Sequence, residues 1–209
     1  MSDLSHSTML EPFPKKIWQI SHFAPEEKPY FIDDYQELWQ LIHPTHQYQC
    51  LTEQNEDDFV RRAFHENDSA RKMYFLIKDD AILRADFLRY LVLLVEGGVY
   101  TDMDTRPMQP IDVWIPEEFA NRANIALGVE IDKGQGRLWR DMPWTVQMSQ
   151  FTIMAKPNHP LLRHVVDSVG DNVSRFLEEH GPRLFTNAVF RYLSEQTGFE
   201  MNGDEVSGI

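Results

Sequence analysis

Residues 84–104 constrain the fold more than any other stretch of the chain. They hold most of an apolar helix predicted over residues 81–95, a break at Gly97-Gly98, a short apolar strand and two carboxylates, Asp102 and Asp104. Apolar residues at helical spacing followed by glycine are typical of a helix and its end. An acidic pair after a buried strand lies at the edge of a sheet, where a divalent metal and a phosphorylated ligand can be held.

Strand and helix patterns alternate on both sides of this stretch. Strands are predicted over residues 15–20, 47–52, 124–131 and 151–155. Helices are predicted over about residues 33–43, over a stretch that begins at Asn55, over residues 160–179 and over residues 184–196. Residues 73–77 fit either element. Such alternation is typical of strands covered by helices. The chain is therefore predicted to have an α/β fold with a mixed, mainly parallel sheet flanked by helices.

Length and composition predict one globular unit. A chain of 209 residues buries about 70% of the surface that its unfolded form exposes, so a sizeable core is expected. We assign residues 14–197 to one domain, with a flexible N-terminal tail over 1–13 and a C-terminal tail over 198–209. With a single cysteine, Cys50, the chain forms no internal disulfide.

The charge balance disfavours a nucleic-acid partner. The chain carries 20 Lys and Arg against 33 Asp and Glu, and its net charge of -13 repels a phosphate backbone. The longest apolar run, residues 90–95, is far shorter than the roughly 20 residues of a membrane helix. We therefore expect no nucleic-acid partner, no membrane segment in this chain and, for the chain as written, a cytoplasmic location.

The long apolar helix contains two charged residues three positions apart, Asp86 and Arg89. Residues three apart share a helix face, so the two side chains are neighbours. The helix is apolar nearly all round, which predicts a buried pair, and buried charges are costly unless they are paired or bound. Two interpretations remain open: an internal salt bridge, or a pair that grips the hydroxyls of a ligand.

The Asp-x-Asp triplet itself fits two chemistries. In phosphatases of the haloacid dehalogenase type the first Asp is a nucleophile, and the motif continues with one residue and then Thr or Val. Arg106 occupies that position here, which disfavours a phosphatase. In nucleotide-sugar transferases the pair holds Mg²⁺ or Mn²⁺ on a diphosphate.

Several ordered segments together carry a family resemblance. Residues 84–112 contain RADFLRYL, EGGVYTDMDTRP and PID, and further segments are KIWQ from Lys16, QFTIMAKPNHP from Gln150, and Gly181-Pro182 with a following Phe-Thr. Over about residues 14–193 the chain resembles glycosyltransferase family 32. That family includes fungal initiating α-1,6-mannosyltransferases and is distantly similar to glucosylating bacterial toxins.

The resemblance implies a GT-A-like, Rossmann-like fold and a retaining hexosyltransferase. The expected donor is a nucleotide-diphospho-sugar, GDP-mannose or a UDP-hexose such as UDP-glucose, and the expected cofactor is Mn²⁺ or Mg²⁺. The expected acceptor is a glycan or a small molecule. Family mannosyltransferases work in the Golgi lumen behind a membrane anchor, so that location is expected if the chain derives from an anchored precursor.

The same resemblance implies roles for individual residues. Asp104 contacts the metal directly, and Asp102 bridges to the metal-bound water, ribose or sugar of the donor; both are assigned as catalytic. Asp86 and Arg89 hold hydroxyls of the donor sugar. Gln150 is assigned to the donor sugar as well.

Other residues are assigned to the nucleotide or to the turn beside it. Trp18 packs either against the base or ribose of the nucleotide or in the core of the first strand. Tyr100 shares a strand face with Asp102 and either lines the nucleotide pocket or packs in the core. The Gly181-Pro182 turn lies where related enzymes approach the donor.

One departure from the family pattern supports a second function. Family members normally continue into a C-terminal segment with a Gly-Ser-Trp-like motif that helps to complete the metal and diphosphate site. The given sequence ends at Ile209 without that motif. The alternative expectation is therefore a catalytically impaired nucleotide-sugar or glycan-binding module of the same fold.

Overall fold

A computed structural model describes residues 11–23, 27–133, 145–171 and 181–201. The strands are β1 (Lys16–Ile20), β2 (Gln47–Leu51), β3 (Gly98–Thr101), β4 (Ile125–Asp132) and β5 (Val146–Ala155). The helices are α1 (Phe31–Ile42), α2 (Glu56–Ala63), α3 (Ser69–Leu76), α4 (Ala81–Glu96), α5 (Pro160–Asp171) and α6 (Pro182–Thr197). Two short 3₁₀ turns, Ile111–Val113 and Glu117–Phe119, lie between β3 and β4.

The described strands form one five-stranded sheet in the order β2-β1-β3-β5-β4. β1 is parallel to β2 and to β3, whereas β5 is antiparallel to β3 and to β4. The α/β class and the mixed sheet are thus confirmed. Parallel pairing was predicted to dominate, but it accounts for two of these four strand pairs. β4 and β5 follow each other directly among the described strands and pair antiparallel, which needs no helical crossover.

Both faces of the sheet are covered. Trp18 and Tyr100 belong to the larger core, which includes α4. Their neighbours Ile17 and Val99 point to the opposite face and pack in a smaller core with Trp39 of α1. Because side chains alternate along a strand, consecutive residues of β1 and β3 serve different cores.

Helix α4 forms the centre of the larger core. Asp80 caps its N-terminus by accepting hydrogen bonds from the backbone N–H groups of Ile82 (3.1 Å) and Leu83 (3.0 Å). Every residue from Leu83 to Leu94 is buried, as its nearly continuous apolar sequence predicts. The helix therefore presents Asp86 and Arg89 within the protein rather than to bulk solvent.

The two glycines after α4 allow the chain to turn directly into β3. Gly97 and Gly98 have φ values of 64° and 99°, which disfavour any residue with a side chain. A Cβ atom at Gly98 would lie 2.6 Å from the carbonyl oxygen of Lys16, and one at Gly97 would lie 2.7 Å from Cδ of Pro157. The close approach of β1 and of the segment after β5 thus requires glycine at both positions.

The remaining predicted elements differ in detail. Residues 73–77 fall mostly in α3, which is capped by Asp68. The predicted helix over 160–179 is described only as α5, and its residues 172–179 lie outside the described residues. All described helices and strands fall within residues 14–197, and the domain limits stay a prediction. Within the described ranges no helix combines the length and apolarity needed to cross a membrane.

Candidate active site

The turn that carries the acidic pair is held by hydrogen bonds from two other parts of the chain. The backbone N–H of Asp102 donates to the carbonyl of Phe151 at 2.8 Å. The Asp102 carbonyl accepts from the Thr105 N–H at 3.2 Å, from the Thr105 hydroxyl at 2.6 Å and from Gln19 Nε2 at 3.1 Å. Gln19 is fully buried and also accepts from the Tyr48 hydroxyl at 2.5 Å. The position of the acidic pair is therefore fixed by β1, β5 and its own turn.

A cavity of about 270 Å³ lies beside this turn, between the ends of β1 and β3 and the N-terminal half of α4. Its lining includes five of the predicted site residues: Asp86, Arg89, Tyr100, Asp102 and Asp104. The remaining lining residues are Ile20, His22, Phe23, Ile82, Ala85 and Met103. The structure thus brings together residues from a helix, a strand and a turn that are up to 18 positions apart in the sequence.

Arg89 is the central cation of this site. Its Nη2 lies 2.5 Å from Oδ1 of Asp86 and 3.4 Å from Oδ1 of Asp102. Its guanidinium also lies over the ring of Tyr100, with 5.2 Å between the guanidinium carbon and the ring centroid. The Asp86–Arg89 pair is therefore an internal salt bridge that also lines the cavity, so the two interpretations left open by the sequence are compatible.

Tyr100 orients the first carboxylate of the pair. Its hydroxyl donates to Oδ1 of Asp102 at 2.5 Å. Burial raises the pKa of the Tyr100 hydroxyl well above its usual value, although Arg89 opposes this shift, so the group remains a neutral donor. Burial also raises the pKa of Asp102, against the stabilising effects of Arg89 and the Tyr100 hydrogen bond. Neighbouring Asp104 adds to the rise in the pKa of Asp102 by like-charge repulsion.

Asp104 differs from Asp102 in being exposed. No hydrogen bond or ion pair joins its carboxylate to another residue in the described part of the chain. The described residues contain no group of three or more His, Cys, Asp or Glu side chains able to enclose a metal. Mg²⁺, however, is commonly bound by one or two carboxylates together with substrate phosphates. A free Asp104 beside an oriented Asp102 fits a cation that is shared with a phosphorylated ligand.

Gln150 reaches the site because β5 leaves its register with β4. Leu127 pairs with Ile153 and Val129 pairs with Met148, so the intervening residues of β5 form a bulge. Bulges next to functional sites often redirect a side chain. This bulge places the Gln150 amide against α4, beside Arg89 rather than in the lining of the cavity, and its role toward the donor sugar stays a prediction.

The orientation of the Gln150 amide follows from its neighbours. Arg89 can only donate, so the amide oxygen faces it and accepts from Nη1 at 3.1 Å. The amide nitrogen then donates to the Tyr90 hydroxyl at 2.9 Å and to the Gly181 carbonyl at 3.2 Å. Tyr90 is buried and was not identified from the sequence, where it is one apolar-face residue among many.

Gly181 closes the site from the side of α6. Its φ of 54° favours glycine, and a Cβ atom here would lie 2.7 Å from Oδ2 of Asp86 and still closer to the Gln150 amide. The Gly181-Pro182 turn therefore packs directly on Asp86 and Gln150, two of the predicted sugar-binding residues, and its approach to the donor stays a prediction.

Trp18 lies away from the cavity. It is 3% exposed, its ring packs near Phe59, and its indole N–H donates to the Gly97 carbonyl at 3.0 Å. Of the two roles considered for Trp18, its contacts are those of core packing, and they provide no path to a nucleotide. Two aromatic residues of the loop after β1, His22 and Phe23, line the cavity instead, with 4.1 Å between their ring centroids.

Comparisons with known proteins show which proteins the chain is similar to. Residues 30–120 match the family described as "Glycosyltransferase sugar-binding region containing DXD motif". The chain is 31% identical, over 88% of its length, to the initiation-specific alpha-1,6-mannosyltransferase of Candida albicans, of which it covers 54%. It is likewise 31% identical, over 88% of its length, to the enzyme of the same name from Schizosaccharomyces pombe, of which it covers 50%. The chain thus spans about half the length of these curated relatives.

A solved structure shares the fold. The PaToxG glycosyltransferase superposes with a TM-score of 0.64 at 16% sequence identity, covering 93% of this chain and 77% of that one. At this identity the likeness concerns the fold alone. It confirms the GT-A-like, mixed α/β architecture predicted from the sequence.

Proposed function

We propose that this chain transfers a hexose from a nucleotide-diphospho-sugar, because residues 30–120 match the glycosyltransferase sugar-binding region containing the DXD motif and the chain is similar to fungal initiation-specific α-1,6-mannosyltransferases. The acceptor is a hydroxyl of a glycan or small molecule, the transfer is metal-assisted, and the anomeric configuration is retained. GDP-mannose is the first donor to test, since the curated relatives bear the name mannosyltransferase. UDP-glucose is the second.

One observation carries this proposal. A carboxylate-guanidinium-carboxylate group, formed by Asp86, Arg89 and Asp102, lines the same cavity as the exposed carboxylate of Asp104. The buried group offers fixed hydrogen-bonding atoms for sugar hydroxyls, and the exposed carboxylate offers a site for a cation. A hexose joined to a diphosphate requires these two kinds of recognition side by side.

The cation would be held by Asp104, with Asp102 beside it. When bound, Mn²⁺ or Mg²⁺ supplies positive charge to the diphosphate that leaves. The cavity wall formed by Ile20, Phe23 and Ile82 is apolar, with His22 at its edge, and suits the nucleoside part of the donor.

The residues around Arg89 would orient the sugar. Arg89 and Asp86 present a fixed donor and acceptor pair, and the Gln150 amide on β5 restrains the guanidinium. Holding the sugar in a single orientation removes part of the entropic barrier to transfer. We assign the proton of the acceptor hydroxyl to the departing phosphate oxygen on the same face of the sugar, which gives retention.

The test is turnover and binding with both donors. The purified chain is incubated with GDP-mannose or UDP-glucose, with Mn²⁺ or with EDTA, and release of the nucleoside diphosphate and transfer to a mannoside are measured. Proton NMR of the first product reports the anomeric configuration. Turnover that requires Mn²⁺ supports the proposal, and an inverted product refutes retention.

Thermal unfolding in the presence of GDP or UDP, with and without Mn²⁺, separates the remaining outcomes, since a ligand that binds the folded state raises its apparent stability. Metal-dependent stabilisation without turnover would support the binding-module alternative. If neither nucleotide stabilises the chain and neither donor is turned over, the proposed function is wrong.

A further inference from the structure

The segment that follows the acidic pair is tied to α1 at two points. The indole N–H of Trp39 donates to the carbonyl of Thr105 at 3.1 Å. His43, the residue after α1, accepts from the backbone N–H of Ile111 through Nε2 at 3.0 Å. The two hydrogen bonds join positions that are 66 and 68 apart in the sequence. One end of α1 therefore holds both ends of the segment over residues 105–111.

Trp39 has a fixed position in the smaller core. It is 2% exposed and packs there with Ile17 and Val99. Because Nε2 of His43 is an acceptor, Nδ1 carries the ring proton and donates to the Trp39 carbonyl at 2.8 Å. The His43 and Trp39 rings also stack, with 5.2 Å between their centroids. The indole N–H is thus presented from a position that packing and hydrogen bonding both restrain.

Thr105 connects this support to the acidic pair. Its backbone N–H and its hydroxyl both donate to the Asp102 carbonyl, at 3.2 Å and 2.6 Å. Its own carbonyl is the one that accepts from Trp39. Asp104 is the residue immediately before Thr105. The turn over residues 102–105 is therefore held from the face of the sheet opposite α4, while Asp102 and Asp104 line the donor cavity.

The carboxylate of Asp104 depends on this turn more than that of Asp102 does. Tyr100 and Arg89 contact the Asp102 side chain directly. Asp104 is exposed, and within the described ranges its carboxylate has no hydrogen bond or ion pair. Its position is consequently set by the backbone of the turn. Groups that orient a metal ligand from behind contribute to metal affinity.

Resting on the proposed function, we propose that Trp39 is a positioning residue of the metal site. Its indole N–H, acting through the Thr105 carbonyl, holds Asp104 in the place where it binds Mn²⁺ or Mg²⁺. Trp39 does not belong to the described lining of the cavity, so its effect is indirect. Without its N–H the turn has more conformations, and metal binding must restrict them. The metal is then bound more weakly.

Trp18 provides a matched control. It is 3% exposed, and its indole N–H donates to the Gly97 carbonyl at 3.0 Å, before β3 rather than after it. Trp39→Phe and Trp18→Phe therefore remove the same N–H group from two buried rings, at opposite ends of β3. Both variants are expected to unfold at a lower urea concentration than the wild type. Trp39→Phe alone is expected to weaken metal binding.

The test measures Mn²⁺ binding without turnover. Each protein is titrated with Mn²⁺ at saturating GDP, and with UDP in a second series, while electron paramagnetic resonance follows the free ion. The dissociation constant for Mn²⁺ is expected to rise about fivefold in Trp39→Phe, the effect of losing one hydrogen bond. In Trp18→Phe it is expected to stay within about twofold of the wild-type value.

A third variant separates the N–H from the ring. Benzothienylalanine has fused rings of about the size of indole, with sulfur in place of the N–H. It is placed at position 39 alone, because the chain has five tryptophans. This protein keeps the ring packing of Trp39 and is expected to bind Mn²⁺ about fivefold more weakly than the wild type. A folding defect of Trp39→Phe therefore does not decide the outcome.

Wild-type Mn²⁺ affinity in the folded variants at position 39 would overturn the proposal. An equal loss of affinity in Trp18→Phe and Trp39→Phe would overturn it as well, because weaker metal binding would then follow from lower stability alone. Failure of the proposed function has its own signature, a wild-type chain that binds Mn²⁺ with neither GDP nor UDP. That result would remove the metal site and the role of Trp39 with it.

Discussion

Gln150 accepts a hydrogen bond from the guanidinium of Arg89 at 3.1 Å, across the interface between β5 and α4. The contact exists because β5 leaves the register of β4 and turns one amide toward the helix. Arg89 consequently has partners on its own helix, after β3 and on β5. The cavity is thus built around one buried cation whose position depends on three elements.

Replacing Asp104 by Asn is expected to abolish metal-dependent transfer and leave the fold intact. The Asp104 side chain is exposed and has no ionic partner among the described residues, so the amide costs little stability. We expect transfer to fall at least about a hundredfold, the size of loss typical when an electrostatic contact to the developing charge is removed. Initial rates with Mn²⁺ and the thermal midpoint are measured together. Wild-type turnover in the variant would show that Asp104 is not a ligand of the metal.

Replacing Arg89 by Met is expected to destabilise the fold. The change leaves the buried carboxylate of Asp86 and the half-buried carboxylate of Asp102 without the Arg89 cation, and breaking a buried ion pair in this way typically costs about 3–5 kcal/mol. Urea unfolding measures the loss. Arg62→Met, at an exposed position of α2, is the matched control and is expected to stay within about 0.5 kcal/mol of the wild type. Equal stability of the two variants would contradict the central role of Arg89.

Replacing Tyr90 by Phe is expected to weaken donor binding through Gln150. The ring keeps its stacking on Phe185, with 5.4 Å between centroids, while the 2.9 Å hydrogen bond that the Gln150 amide nitrogen donates to the Tyr90 hydroxyl is lost. A hydrogen bond of about 1 kcal/mol corresponds to a roughly fivefold rise in the KM for the donor. Steady-state kinetics with varied donor provide the measurement. A variant that loses stability but keeps the donor KM would show that Tyr90 serves packing alone.

Gly98 and Gly198 each lie just after a helix, and replacing each by alanine compares the free-energy cost of a side chain in a crowded and in an open position. Both have positive φ, 99° and 74°, so alanine carries a conformational cost of about 1 kcal/mol or more at either position. Only at Gly98 would the new Cβ meet the Lys16 carbonyl, whereas nothing lies within 4 Å at Gly198. Overpacking adds about 1–3 kcal/mol at Gly98. Denaturant unfolding of Gly98→Ala and Gly198→Ala should therefore differ, and equal losses would argue against the close approach of β1.

His159 is expected to make stability fall in mild acid. It caps α5 by accepting from the Leu161 N–H at 3.2 Å, and burial lowers its pKa to about 4, below the value of 6.5 expected when unfolded. Between these values the unfolded chain binds more protons, so the free energy of unfolding decreases as pH falls from 6.5 toward 4. The expected loss is about 1–3 kcal/mol.

The control for His159 is Asn, which can cap the same N–H without titrating. Urea unfolding of the wild type and of His159→Asn is compared at several pH values across this window. The difference between the two proteins should grow as pH falls. Parallel curves would show that the acid sensitivity arises elsewhere.

The local parts of the site could be predicted from the sequence. The apolar period of α4, its glycine stop and the strand before Asp102 are properties of neighbouring residues, and they placed Asp86, Arg89 and the acidic pair on connected elements. These residues come together in space because a helix that turns directly into the next strand packs against that strand. The same local patterns also predicted an α/β sheet flanked by helices.

Other parts of the site depend on contacts between residues far apart in the chain. Strand alternation predicted that Tyr100 and Asp102 share one face of β3. Only packing decided that Trp18 lies in the core away from the cavity, whereas Tyr100 belongs to the same core and also lines the cavity. The contact of Gln150 with Tyr90 spans 60 positions and depends on a bulge without a distinct sequence signal. Local propensity determines elements such as α4. Strand register and bulges, in contrast, are set by the packing of the whole assembled sheet. For that reason the acidic pair and the Asp86–Arg89 pair were predictable from the sequence, while the contact of Gln150 with Arg89 was decided by tertiary structure.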